Sequence, residues 1–320
     1  MLQRVAASLR PLDIRAGLLA GTIDEQVQTA GAALTADESK YLEFYGMDFA
    51  ADFSGLRHVF GFTESRDQRL AVHVFRQPQA QRVLLLVHGY LDHVGLFAHL
   101  IRYGLERGYT VVAFDLPGHG LSSGDRVAID DFSDYRCAIE NVRAACSDLP
   151  GEWRVIAQST GAAIVLDYLL QHEMGFDKVV MLAPLVRPRG WFWISSAQYV
   201  MHHFKESVER KFAENSNDPG FLEWIRKDPL QSKTLSARWI GALRRWIKSL
   251  PKTPSPSSVP LLLIQGDADG TVDWRYNIKR IEQFFAGSQI AILPGGRHHL
   301  ANESQPLRQR TYALMDEFFV

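Results

Sequence analysis

Residues 155–170 read VIAQSTGAAIVLDYLL, in which an apolar run, a short polar turn and a compact apolar segment follow one another directly. Ser159 stands in that turn, between a predicted strand and a helix that begins near Ala162. A serine on so sharp a strand-to-helix turn has its hydroxyl exposed at the helix N-terminus, and the turn closes only with small neighbours. Such turns usually read GxSxG, but Ala157 replaces the first glycine here. The alternative is that Ser159 only caps an ordinary helix.

The alternation of strand and helix continues on both sides of this turn. Six apolar runs predict strands that are buried on both faces, as parallel strands are when helices cover the sheet. They are residues 83–87, 111–114, 155–157, 179–182, 261–264 and 290–293. Before them, Leu70, Val72 and Val74 alternate with other residues and predict a half-buried antiparallel strand. The sequence therefore predicts a doubly wound α/β fold with a mostly parallel sheet.

Two segments lie outside this alternation. Residues 1–54 have a helix-like composition and predict an N-terminal helical arm, which packs against the body or, in the alternative, docks on a membrane or partner. Residues 187–257 contain helical patterns, no convincing strand and five of the seven tryptophans, so they predict an inserted helical cap. The α/β core is then formed by residues 55–186 and 258–320.

Composition narrows the class of protein. The formal net charge of −1 argues against a nucleic-acid-binding protein. No segment has the apolar core of a signal peptide or the length of a spanning helix, so the expected location is cytoplasmic, with peripheral membrane contact left open. Cys137 and Cys146 lie too far apart on one predicted helix for a disulfide and are expected to be free thiols. Zinc-binding spacings and a P-loop lysine are missing from the sequence, which predicts neither a metal nor a cofactor.

Chemically useful residues follow the predicted strands, where the sites of open α/β sheets lie. After residues 83–87, the turn at Gly89 can aim a main-chain N–H at the serine, and the N–H groups of Tyr90 and Thr160 are the candidates for an oxyanion hole. Three aspartates after residues 261–264 and two histidines after residues 290–293 compete for the roles of acid and base. They are Asp267, Asp269, Asp273, His298 and His299. Serine, acid and histidine in this order match the chain order of a Ser-Asp-His triad in this kind of fold.

Several longer motifs carry a resemblance to a known family. They are VHGYLDHVGLFAHL at 87–100, FDLPGHGLSSGDR at 114–126, DFSDY at 131–135, MLAPLV at 181–186 and KDPL at 227–230. From about residue 55 to its C-terminus, the chain resembles the monoacylglycerol lipase and lysophospholipase branch of the α/β-hydrolase family. The resemblance implies that the acid is Asp269, in a GxxD pattern, and that the base is His298, in a GxxH pattern. The chain departs from the family at Ala157 and at Gln158, where a histidine is common.

The resemblance also assigns roles to the loop at Asp115 and to the cap. The Asp115 loop is expected to brace the active site, and the cap is expected to be a lid. Trp191 and Trp193 in the cap either line an acyl-chain pocket or belong to the lid's own core. Residues 187–252 hold 13 Lys and Arg against 6 Asp and Glu, an excess of 7 positive charges. Such a surface either attracts anionic lipid headgroups or is simply solvated.

The expected activity is therefore ester hydrolysis through an acyl-enzyme, on a lipid-like substrate such as a monoacylglycerol or a lysophospholipid. A thioesterase or a peptidase of the same fold is the alternative among enzymes. The alternative outside enzymes is a binding protein that kept the fold without catalysis, and its support is the altered elbow at Ala157 and Gln158.

Overall fold

The structure is a computed structural model, and it describes residues 1–12, 34–149, 151–172, 175–201, 206–210, 212–252, 257–285 and 287–320. An eight-stranded sheet crosses the molecule in the order β1-β2-β4-β3-β5-β6-β9-β10. Its strands are β1 Arg57–Ser65, β2 Gln68–Arg76, β3 Arg82–Val87, β4 Thr110–Phe114, β5 Glu152–Gln158, β6 Lys178–Leu182, β9 Leu261–Gly266 and β10 Gln289–Leu293. β2 runs antiparallel to β1 and β4, and the remaining pairs are parallel.

Helices cover both faces of this sheet. They are α1 Leu2–Ser8, α2 Ala36–Phe44, α3 Ala98–Glu106, α4 Ser133–Ala145, α5 Thr160–Gln171, α6 Trp191–Met201, α7 Pro219–Lys227, α8 Ala237–Ser249, α9 Trp274–Glu282 and α10 Gln305–Phe319. Successive residues of β3 point to opposite sides, so Leu85 joins the core under α4 and α5 while Leu84 joins the core under α3 and α10. The predicted α/β architecture is confirmed.

The prediction of a half-buried β2 is wrong. Residues 70–75 are buried on both faces of the strand. The N-terminal arm causes this burial. Tyr41 and Phe49 share a hydrophobic core with Phe75, which lies on the face of β2 that a half-buried strand would expose to solvent. The described part of the arm therefore packs against the body, which is the first of its two interpretations.

Two further expectations need correction. Residues 290–293 were expected to be buried on both faces, but β10 is the edge strand and Ile292 is 41% exposed. The cap was expected to contain no convincing strand, yet β7 Ser207–Glu209 and β8 Thr234–Ser236 form an antiparallel pair within it. Strands of three residues are too short to produce a readable alternation. We propose that residues 187–257, with this pair and helices α6 to α8, act as a cap on the core.

The remaining expectations concern thiols and membrane spans. Both cysteines are free, and Cys146 is buried while Cys137 is partly exposed. Within the described residues, every helix is too short or too polar to cross a bilayer.

Candidate active site

Ser159 lies between β5 and α5 in a conformation that few side chains adopt. Its φ of 54° and ψ of −115° lie outside the regions that non-glycine residues prefer, a strain of about 1–3 kcal/mol. The serine occupies the N-cap position of α5, but its hydroxyl makes no capping hydrogen bond. Stabilising the helix therefore does not account for a serine here, whereas presenting the hydroxyl to another group does.

The strand-to-helix turn at Ser159, called the elbow, requires glycine at position 161 and accommodates alanine at position 157. A Cβ on Gly161 would lie 2.3 Å from the carbonyl oxygen of Val87, so α5 can approach β3 only without a side chain there. Ala157, in contrast, is an ordinary strand residue that pairs with Val87 and Met181 in the parallel ladder. Its departure from GxSxG thus changes neither the strand nor the turn.

Three predicted residues meet in one hydrogen-bonded row. His298 Nε2 lies 2.9 Å from Ser159 Oγ, and His298 Nδ1 lies 2.8 Å from Asp269 Oδ2. All three are buried and each follows the carboxyl end of its own strand, β5, β9 or β10. The main-chain N–H groups of Thr271 and Val272 donate to Asp269 Oδ1 at 2.7 and 3.2 Å, which fixes the carboxylate. The row is the arrangement that general-base activation of a serine requires.

The competing acids and the second histidine have other partners. Asp267 accepts a hydrogen bond from the Gly295 N–H at 2.7 Å, and Asp273 forms an ion pair with Arg187 at 2.6 Å. His299 points to Asp92, with 3.3 Å between Nε2 and Oδ1. Among the described residues, His298 is thus the histidine in contact with Ser159, and Asp269 is the acid in contact with His298.

Electrostatics favour the charge distribution that a triad needs. Burial alone would raise the pKa of Asp269, but His298, Gln265 and the Thr271 N–H together hold this pKa below its usual value. Burial alone would lower the pKa of His298, but Asp269 and Asp92 overcome it and raise this pKa above its usual value. Asp269 is consequently ionised at neutral pH, and the imidazole holds a proton more strongly than a free histidine does.

This raised pKa predicts the pH dependence of the activity. A general base must be neutral, so kcat/KM should fall as the pH drops through the pKa of His298, with a midpoint above 6.5. Asp92→Asn removes a negative charge that raises this pKa, so the midpoint should move to lower pH. Asp267→Asn is the matched control, since Asp267 bonds to Gly295 and should leave the midpoint in place. Profiles of kcat/KM between pH 5 and 9 test this, and a midpoint that is unchanged in Asp92→Asn contradicts it.

The loop after β3 is held rigidly beside the serine. The Leu116 N–H donates to His88 Nε2 at 2.9 Å, so Nδ1 carries the proton and donates to the Gly89 carbonyl at 2.8 Å. Asp115 accepts hydrogen bonds from the Val94 N–H and the Leu121 N–H, both at 2.7 Å. The Asp115 loop thus braces the segment that carries the candidate oxyanion donor.

The two candidate oxyanion donors, the N–H groups of Tyr90 and Thr160, lie near Ser159. Thr160 is the first residue of α5, so its N–H has no intrahelical acceptor. Tyr90 follows Gly89, and a Cβ on Gly89 would lie 3.2 Å from Ser159 Cβ, which shows how closely this loop approaches the nucleophile. Among the described residues, neither N–H has a hydrogen-bond acceptor. Their role as an oxyanion hole stays a prediction.

The side chain of Tyr90 connects this loop to the cap. Its hydroxyl donates to the Val127 carbonyl at 2.9 Å and accepts from the Ser236 N–H at 3.0 Å. Its ring stacks on Trp239, with 3.7 Å between the ring centroids. The cap is therefore anchored to the residue whose main-chain N–H is an oxyanion candidate.

A second anchor was not recognised from the sequence. Asp228, in the KDPL motif, accepts a hydrogen bond from the Tyr45 hydroxyl at 2.7 Å, and its other oxygen lies 2.7 Å from His93 Nε2. The contact joins the arm, the core and the cap in one buried cluster. The KDPL motif and His93 both lie in segments that carry the family resemblance, but neither sequence pattern indicates that Asp228 contacts His93.

The sequence also did not indicate a buried polar network next to the row of Ser159, His298 and Asp269. Gln158 Oε1 accepts a hydrogen bond from the Ala301 N–H at 2.9 Å, and Gln158 Nε2 lies 3.3 Å from His299 Nδ1. Since His299 Nε2 faces Asp92, the chain Gln158–His299–Asp92 links the elbow to the loop that carries His298. Gln158, which departs from the family's histidine, thus has partners of its own. The adjacent histidines at 298 and 299 were the only feature of the sequence that pointed to this network.

The two predicted substrate residues of the cap differ in their surroundings. Trp191 is partly buried and packs against the core, whereas Trp193 is 75% exposed and lies against Phe192, itself 71% exposed. Their predicted place in an acyl pocket stays a prediction. Within the described residues, no group of three or more His, Cys, Asp or Glu side chains could hold a metal ion.

Comparison with known proteins gives a family and a fold. Residues 78–305 match the family model described as serine aminopeptidase, S33. The monoacylglycerol lipase of Mycolicibacterium smegmatis is 26% identical over 235 residues, which are 70% of this chain and 83% of that protein. The probable lysophospholipase L2 of Haemophilus influenzae is 23% identical over 281 residues, or 79% of this chain and 89% of that protein.

The solved structures extend the likeness to three dimensions. The crystal structure of Paleococcus ferrophilus monoacylglycerol lipase superposes with a TM-score of 0.68 at 21% identity, covering 78% of this chain and 98% of that one. A soluble variant of the monoglyceride lipase from Saccharomyces cerevisiae also gives 0.68, at 17% identity, and covers 80% of this chain and 92% of that one. At such identities the match establishes the fold.

Proposed function

Because the chain belongs to the serine aminopeptidase S33 family of α/β-hydrolases, we propose that it hydrolyses lipid-like carboxylic esters, such as a monoacylglycerol or a lysophospholipid, with Ser159 as its nucleophile. The observation that carries the proposal is the unbroken row from Ser159 Oγ through His298 to Asp269, with contacts of 2.9 and 2.8 Å. Such a row activates a hydroxyl that is otherwise a weak nucleophile.

The reaction has two steps. Ser159 Oγ attacks the carbonyl carbon of the ester while His298 Nε2 takes its proton, and Asp269 stabilises the resulting imidazolium. The N–H groups of Tyr90 and Thr160 hold the oxyanion, His298 returns the proton to the leaving alcohol, and an acyl-enzyme remains. Water then attacks with His298 again as base, which releases the acid and restores the serine. No cofactor takes part.

The nature of the ester is supported by the relatives and by the cap. Two relatives that align over at least 70% of this chain are named monoacylglycerol lipase and probable lysophospholipase L2. The described cap also presents Phe192 and Trp193 to solvent. Exposed aromatic rings on a positively charged segment suit contact with a lipid surface. We therefore also propose that the protein is a cytoplasmic enzyme whose cap makes peripheral contact with membranes.

Part of the cap's positive charge is already neutralised, which limits this contact. Arg238 pairs with Asp125 and Asp130, and Arg187 pairs with Asp273. The aromatic rings of α6 are therefore the stronger part of the membrane argument.

Labelling with a fluorophosphonate probe tests the function. A working triad should react covalently in a one-to-one ratio, and peptide mapping should locate the adduct on Ser159. Ser196→Ala, at an exposed cap serine whose hydroxyl bonds only to Phe192 among the described residues, is the matched control and should label as the wild type does. A folded protein that takes up no label supports the non-catalytic binding protein instead, and a label on another residue means that Ser159 is not the nucleophile.

A substrate panel separates ester hydrolysis from its enzymatic alternatives. Octanoyl esters, an octanoyl thioester and an aminoacyl anilide should be compared by kcat/KM. The expected order places the esters first, with a gain from butanoyl to octanoyl chains, because an apolar pocket gains about 0.8 kcal/mol for each buried CH₂. A protein that cleaves the anilide best is a peptidase, and the ester proposal then fails.

A further inference from the structure

A half-buried arginine of the cap lies close to the catalytic row. Arg210 directly follows β7, and its main-chain N–H donates to the Lys233 carbonyl at 2.8 Å, which continues the β7–β8 pairing. Its guanidinium lies 4.4 Å from the ring centre of Phe212, and its Nη1 donates to Gln231 Oε1 and to the Ser232 carbonyl. All these partners are neutral, so no described residue in contact with Arg210 supplies a counter-charge.

The position of the β7–β8 pair relative to the serine follows from two contacts. Ser236, at the end of β8, donates its N–H to the Tyr90 hydroxyl at 3.0 Å, so the pair lies beside the candidate oxyanion loop. On the serine side of that loop, a Cβ on Gly89 would lie 2.9 Å from Asp92 Oδ2 and 3.2 Å from Ser159 Cβ. The loop that holds Tyr90 and Asp92 thus contacts the β7–β8 pair and also lies close to Ser159.

The charge of Arg210 interacts with both Tyr90 and Asp92. Burial alone would raise the pKa of Asp92, and Arg210 is among the groups that hold this pKa below its usual value, after His299 and His88. Burial lowers the pKa of Arg210 itself, and the negative charge of Asp92 counteracts the loss. Yet no carboxylate among the described residues lies within ion-pair distance of Arg210, because Asp92 is turned to His299 at 3.3 Å.

The unused donors distinguish Arg210 from a structural arginine of the same region. Arg126 binds the Gly118 and Gly120 carbonyls through Nη1 and the Leu230 carbonyl through Nη2, so both arms of its fork are occupied. Arg210 makes hydrogen bonds only through Nη1 to the described residues, which leaves Nε and Nη2 as a pair of parallel donors. Such a pair matches two oxygens of a phosphate.

Resting on the proposed function, we infer that Arg210 binds a phosphate on the alcohol part of the ester, so that the preferred substrate is a phosphate-bearing acylglycerol. The acyl part is apolar and cannot lie against Arg210 and Asp92, so the polar alcohol part takes that place. A phosphate also supplies a counter-charge, which no described residue places in contact with the half-buried guanidinium, and a neutral glycerol head does not.

Two matched substrates test the inference. Octanoyl glycerol and octanoyl glycerol 3-phosphate, below their micelle concentrations, differ only in the phosphate. The wild type should prefer the phosphate ester in kcat/KM, and Arg210→Gln should raise KM for it by about 10- to 100-fold, the range of charge-assisted hydrogen bonds. KM for the neutral ester should stay within about threefold. Arg210→Lys keeps the charge without the fork and should fall between the two.

Arg238→Gln is the matched control for the net charge of the cap. It also removes one cap arginine, but this one pairs with Asp125 and Asp130 at the surface and should leave both KM values unchanged. An equal loss for both esters in Arg210→Gln means that the arginine only supports the cap, and the inference fails. Equal wild-type rates on the two esters overturn it as well.

A binding measurement keeps this test separate from that of the function. Calorimetric titration with glycerol 3-phosphate, and with inorganic phosphate, needs no catalysis. Binding of glycerol 3-phosphate that Arg210→Gln abolishes supports the inference even if no ester is cleaved, and equally tight binding of inorganic phosphate identifies a site for the free ion instead. Active ester cleavage without binding of either anion leaves the proposed function in place and overturns the inference.

Discussion

Ser159→Ala and His298→Ala are each expected to lower kcat for ester hydrolysis by about 10⁶-fold, and the double variant should lose no more than either alone. The reason is the geometry of the row. His298 Nε2 lies 2.9 Å from Ser159 Oγ. Without the hydroxyl the imidazole has no nucleophile to activate, and without the imidazole the hydroxyl has no base to activate it. Initial rates on a p-nitrophenyl ester, with stability followed by thermal unfolding, provide the measurement.

The acid should matter less than the other two. Asp269→Asn keeps a hydrogen-bonding group beside His298 but removes the charge and favours the wrong tautomer, for which a loss of about 10⁴-fold is expected. Asp267→Asn is the matched control, two residues away on the same loop and bonded to Gly295. Activity within about tenfold of the wild type in His298→Ala, with the protein folded, would rule out the proposed mechanism.

The sequence predicted the positions of these loops better than the choice of residue within them. Apolar runs of three to five residues give the order of the strands along the chain, and the carboxyl ends of parallel strands meet at one edge of the sheet. Asp269 and Asp267, however, lie on one short loop, and spacing does not tell which side chain turns toward a histidine. The turn at Gly295, with a φ of 74°, and the close approach of Gly266 to Gly296 set that direction.

Contacts between distant segments explain what the sequence did not predict. The arm buries the second face of β2 through Tyr41 and Phe49, which belong to a segment with no readable relation to that strand. The cluster of Asp228 with Tyr45 and His93 spans 183 positions of the chain. The position of the Arg210 charge follows from the pairing of β7 with β8 and from the contact of this pair with Tyr90, and neither contact can be recognised in the sequence.

The helix that follows Ser159 packs closely against β3, the strand before the loop with the candidate oxyanion donor Tyr90. Gly161 lies in the first turn of α5, and a Cβ there would lie 2.3 Å from the Val87 carbonyl oxygen and 2.7 Å from the His88 carbonyl oxygen. Both obstacles are main-chain atoms, and Val87 is the last residue of β3, so neither can rotate away. The distance between the two candidate oxyanion donors therefore depends on the absence of this one side chain.

Gly161→Ala is accordingly expected to lower both stability and rate. Forcing one methyl group between α5 and β3 should cost about 1–3 kcal/mol of the free energy of unfolding. The same displacement moves the Thr160 N–H away from the Tyr90 N–H, and losing one oxyanion donor lowers kcat by about 10²- to 10³-fold. Thermal unfolding and kcat on a p-nitrophenyl ester, measured on the same preparation, test both effects.

Gly220→Ala is the matched control for Gly161→Ala. Gly220 is the second residue of α7, and the nearest atom to an added Cβ is Asp218 Oδ1 at 3.2 Å, the end of a side chain that can shift. Its stability should change by no more than about 1 kcal/mol, since glycine is a poor helix former, and its kcat should not change. If Gly161→Ala instead lost stability but kept its full rate, the elbow could move without disturbing the oxyanion. The donors would then have to be sought elsewhere than at Tyr90 and Thr160.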